Sequence, residues 1–165
     1  MPEPLAALSR VISRAALLLS ALGLVAITGI IGWQVFARYG LNAAPSWTEQ
    51  AALYLMLWFI LFAAAAGVRE GFHIRLTMLQ DSLPQHPRKA LRLVCHIIVG
   101  AFGVVMAVAG TQLVLETWTH TIATIGLPRG SAYIPLAASG ALIAFFALEH
   151  VISEITGREV RPLWS

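Results

Sequence analysis

Five histidines, eight carboxylates and one cysteine are the groups in this 165-residue chain that could do chemistry. His96 and His150 stand out, because each falls near the end of an apolar run and at a similar depth. Paired axial imidazoles on neighbouring helices would hold a b-type haem and make the chain an electron-transfer subunit. The plainer reading is two histidines at a membrane surface, His150 pairing with Glu154 one turn on. His73, His86 and His120 lie in separate loops without metal-ligand spacing. Cys95 is alone, which excludes an internal disulfide or a CxxC redox site. No Ser/His/Asp set, phosphate loop or paired carboxylate is present, so no enzymatic activity is expected. Glu49 follows Ser46 by three residues with Pro45 just ahead, the spacing of a capping box. A carboxylate there also complements the positive end of a helix dipole. Punctuation accounts for that spacing, and leaves room for a second bond from Glu49 to a partner. Glu116 and Glu149 fall at the ends of apolar runs, where water is expected to reach them.

The elements that position these groups are apolar. Hydrophobic residues make up 58% of the chain and charged ones 12%, against about 25% charged in soluble domains. Mean hydropathy is +0.77. Four runs, Ala15 to Ala37, Gln50 to Val68, Leu93 to Leu115 and Ala132 to Ile152, each approach the ~20 residues a helix needs to cross a bilayer. Neither strand alternation nor barrel closure is visible. The fold class expected is an all-α membrane protein with four transmembrane helices, forming a single integral membrane domain over residues 1–165. The first run reaches Arg38, too long for the h-region of a signal peptide, and reads as a retained anchor.

Arg10, Arg14, Arg69, Arg75, Arg88, Lys89, Arg92, Arg158 and Arg161 fall on one side of the spans, and Arg38 and Arg129 on the other. The positive-inside rule then places both termini in the cytoplasm. The sequence pI near 9.6 follows from that topology and implies no nucleic-acid partner. Trp33, Tyr39, Trp47, Trp118 and Tyr133 fall near the outer helix ends, as an aromatic belt would. Pro2 to Arg14 has Leu5, Leu8 and Ile12 on one helical face, which suits a short helix lying on the inner leaflet. Between helices two and three, Phe72, Leu76, Leu79 and Leu83 recur at helical spacing before Pro84. They predict a short cytoplasmic amphipathic helix resting on lipid or on a partner's edge.

No span carries an ionisable group at its middle. Buried carboxylates mark ion pathways in membrane proteins, so an autonomous coupled transporter is disfavoured. What the spans offer instead is packing. Gly100, Gly103, Ala107 and Gly110 line helix three, Ala63 to Gly67 end helix two, and Gly140 and Ala144 lie in helix four. Small residues of this kind let helices approach closely in lipid. Trp47, Tyr54, Trp58 and Leu61 share a face of helix two that suits contact with protein, since a mid-bilayer indole N–H needs a partner.

The stretch from Trp47 to Leu76 resembles the small membrane subunit of tripartite ATP-independent periplasmic (TRAP) transporters. Trp47, Thr48, Glu49, Trp58, Arg69, His73, Ile74 and Leu76 carry the likeness. Arg38 and Tyr39 after helix one, and Gly126, Leu127 and Pro128 before helix four, extend it. The chain departs from the family pattern at Gln50, Leu53 and Thr77. The resemblance implies a bacterial inner-membrane scaffold that binds no cofactor. Such a subunit braces a large membrane subunit, and a periplasmic binding protein delivers an organic acid. Trp47, Glu49, Tyr54, Trp58, Arg69 and His73 are then the candidate partner-interface residues.

Overall fold

The computed structural model describes residues 3–43, 45–70 and 84–156. Four long helices account for nearly all of them: α1 (Glu3–Gly40), α2 (Trp47–Arg69), α3 (Gln85–Thr117) and α4 (Ile134–Thr156), with a 3-10 turn at Arg129–Ala132 just before α4. All four contain windows apolar and long enough to cross a membrane. The amphipathic helix expected over Phe72 to Leu83 lies outside the described residues. With alternating helices, the start of α1 and the end of α4 share one end of the bundle, called here the terminal end.

α1 packs on α2, α2 on α4 and α4 on α3, so the helices follow one another in that order across the molecule. The tightest seam is antiparallel, between α3 and α4. Down its length Arg92 meets Glu154, His96 meets His150, Gly100 meets Ala147, Gly103 meets Ala144 and Gly140, and Gly110 meets Ala137. The steps along α3 are three, four or seven residues, the spacing that keeps one helical face turned to its neighbour. At the centre of the seam only hydrogen atoms separate the backbones. A Cβ built on Gly103 would lie 2.7 Å from the Ala144 nitrogen and 2.9 Å from the Gly140 oxygen. Dispersion between closely apposed backbones stands in here for the hydrophobic effect, which lipid cannot supply. The close packing expected from the spacing of small residues is therefore present.

α1 departs from expectation. It is a single 38-residue helix, about 57 Å long at the usual rise, and no separate leaflet helix precedes the span. The segment from Ser9 to Ser20 contains neither proline nor glycine to break it. It also carries an inward stripe: Ser9, Ser13 and Ala16 are buried. One turn further on, Ser20 shares its hydroxyl between the Ala16 and Phe59 carbonyls, both 2.8 Å away. Through that stripe the segment from Ser9 to Ser20 docks on protein. Ile12 reaches the apolar core of Ala65, Val68, Ile143 and Phe146, where α1, α2 and α4 converge and Val99 and Met106 of α3 pack alongside.

The start of α2 is also built differently from the expected capping box. Ser46 has helical angles (φ −71°, ψ −17°) and makes no side-chain cap bond, because in that conformation its hydroxyl is turned from the first free N–H groups. Thr48 closes the turn instead, donating from Oγ1 to the Pro45 carbonyl at 2.9 Å, and is fully buried. Ser46→Ala is accordingly expected to shift stability by less than ~0.5 kcal/mol. Thr48→Val, which removes a bonded hydroxyl, should lower it by about 1 kcal/mol. Thermal unfolding in detergent separates the two, and equal losses would reinstate Ser46 as the cap.

Candidate functional site

At the terminal end, the bundle buries a cluster of charge. Arg69, the last residue of α2, is 2% exposed, and Glu149 of α4 is 4% exposed. Arg69 Nη1 pairs with Glu70 Oε1 at 2.9 Å. Its Nε donates to Ser9 Oγ at 3.2 Å and stands 3.9 Å from Glu149 Oε2. Ser9 in turn donates to Glu149 Oε1 at 2.9 Å, and Ser13 donates to Glu70 Oε1 at 3.3 Å. Three helices thus meet through one guanidinium, two carboxylates and two hydroxyls. A guanidinium forks rigidly, which suits it to hold several acceptors at fixed angles. This contradicts the expectation that water reaches Glu149. α1 continues past the membrane-length run, and its serines cover the carboxylate.

Next to this cluster, the imidazoles of His96 and His150 lie face to face, with centroids 4.8 Å apart and planes 2° from parallel. His150 does not pair with Glu154. Its Nε2–H donates to the Arg69 carbonyl at 3.0 Å, and Glu154 is taken by Arg92 at 3.2 Å. The stack also does not fit a haem. Axial ligation requires each ring to aim a nitrogen at an iron lying between them. Here the ring faces meet, and one Nε2 is committed to backbone. Among the described residues, no group of three or more His, Cys, Asp or Glu side chains is placed to hold a metal ion.

The partner-interface candidates are scattered. Trp47 and Glu49 are exposed at the start of α2. Tyr54 and Trp58 come together with centroids 6.2 Å apart, and Trp58 continues to Phe62 at 6.4 Å. Both are half-buried, and the Tyr54 hydroxyl donates to Ser131 at 3.2 Å beside the 3-10 turn. The indole Nε1 of Trp58 is shielded and has no hydrogen-bond partner among the described residues. Arg69 is occupied inside the chain, as above, and His73 lies outside the described residues. The outward face of α2 is instead Leu53, Met56, Leu57 and Ile60. Sequence reasoning missed Ser9, Ser13, Glu70 and Glu149. The available signal was the recurrence of Ser9, Ser13, Ala16, Ser20 and Gly23 at three- and four-residue steps, one inward stripe of small residues running from the expected leaflet helix (Pro2 to Arg14) into the first span.

Comparison with known families settles what kind of bundle this is. Residues 27–157 match the family model described as "Tripartite ATP-independent periplasmic transporters, DctQ component". The chain belongs to this family. It is a TRAP transporter small permease subunit, a transporter component, and with its four apolar helices a multi-pass inner-membrane protein. It is 26% identical over 140 residues to a Haemophilus influenzae protein named as a TRAP small permease, covering 84% of this chain and 85% of that one. It is 25% identical over 130 residues to the sialic acid TRAP transporter small permease protein SiaQ of Vibrio cholerae, covering 79% and 75% of the two chains. It is 26% identical over 106 residues to the C4-dicarboxylate TRAP transporter small permease protein DctQ of Rhodobacter capsulatus, covering 62% and 46%. Within the small permease, Arg69, Glu70 and Glu149 fall inside the matched stretch. Ser9 and Ser13 precede it.

Proposed function

We propose that this small permease is a scaffold that braces the large membrane subunit of its transporter during uptake of an organic acid delivered by a periplasmic binding protein. One observation carries the reading. The charged side chains buried in the bundle are bonded to one another at the terminal end, and no span holds an ionisable group at its middle. Ionisable groups inside a membrane mark ion and substrate pathways, and their absence from mid-span here favours assigning substrate and ion to the large subunit. The organic-acid class is supported by relatives named for sialic acid and for C4-dicarboxylates. The distribution of basic residues supports cytoplasmic termini, which puts the charged cluster on the cytoplasmic side.

The large subunit would meet α2 along its open side, with Trp47 and Glu49 at the outer end and Trp58 contributing its half-exposed ring. Covering the exposed part of the indole ring favours association, while its N–H is already shielded within this chain. Tyr54, bonded within the chain, would support Trp58 from behind. His73 stays a candidate at the cytoplasmic edge.

Reconstitution tests the scaffold. Liposomes holding the large subunit, this chain and the binding protein should take up a radiolabelled C4-dicarboxylate or sialic acid under an ion gradient. Liposomes holding this chain and the binding protein alone should take up neither. Uptake without the large subunit would overturn the scaffold role. For the interface, Trp58→Ala with Trp47→Ala should leave insertion intact and reduce co-purification of the large subunit from detergent. An unchanged complex would discard this face. Glu49→Gln changes a helix-dipole contribution of about 0.3–1 kcal/mol and is expected to lower transport only in part. Complete loss with normal insertion would give Glu49 a direct part in transport.

A further inference from the structure

We draw no further inference here: the strongest candidate, the outward face of α1 around Gly29 and Gly32, where an added Cβ would meet nothing within 4 Å, is an unpartnered stripe of small residues and nothing in the structure shows what covers it.

Discussion

Arg69→Gln is expected to be the most damaging single charge change in this protein. The guanidinium is 2% exposed and serves Glu70 and Ser9 directly, with Glu149 at 3.9 Å. Removing one member of a buried ion pair typically costs about 3–5 kcal/mol, because the remaining charge cannot return to water. Without Arg69, Glu149 would keep the Ser9 hydroxyl but lose its nearest cation. At a few degrees per kcal/mol, the melting temperature in detergent should fall by roughly 10 °C. Arg69→Lys should fall between wild type and Gln, since an ammonium does not reproduce the planar fork. Adding Glu149→Gln to Arg69→Gln should recover part of the loss, as an amide needs no counter-charge. An Arg69→Gln protein melting within about 2 °C of wild type, or a double variant no better than the single, would show that the cluster does not hold the helices together.

The spans were legible because hydropathy needs no knowledge of neighbours: a run such as Leu93 to Leu115 is apolar all round and must cross. The α3–α4 seam was legible for a related reason. Gly100, Gly103, Ala107 and Gly110 recur at helical steps, and small residues on one face have few uses other than close approach. The charged cluster was hidden because its burial is decided by a distant element. Glu149 lies 140 residues from the serine that bonds it, and its position near the end of a run suggested water. Only the docking of α1 across that end excludes it. The histidine pair was half legible. Equal depth follows from counting residues along α3 and α4, but whether the rings meet by edge or by face depends on helix rotation. The capping error at Ser46 has the same origin, since S-x-x-E spacing describes a cap only when the serine leaves the helical region, and here it does not.

The seam supplies the second large effect. Gly140→Leu should unpack α3 from α4. A Cβ at residue 140 would lie 2.5 Å from the Ala107 nitrogen and 2.8 Å from the Gly103 oxygen. The obstacle is backbone, which cannot swing aside as a flexible side chain would. Overpacking a core costs typically 1–3 kcal/mol where side chains can adjust, so a change the seam can accommodate only by parting should exceed about 3 kcal/mol. Gly110→Leu meets the Ala137 backbone in the same way, at 2.6 Å from its nitrogen, and should behave alike. Parting the helices would also separate Arg92 from Glu154 and His96 from His150, at 3.2 Å and 4.8 Å. It would further disturb the turn at Arg129–Ala132 that receives the Tyr54 hydroxyl. Gly32→Leu is the matched control, because its Cβ enters open space and the change replaces a weak helix former with a strong one. Melting in detergent and resistance to protease should fall sharply for Gly140→Leu and Gly110→Leu, and hold or rise for Gly32→Leu. Similar behaviour of all three would mean that the seam is not the close backbone contact described here. A loss confined to Gly32→Leu would reverse the assignment, making α1 rather than α3 and α4 the helix whose close packing this fold depends on.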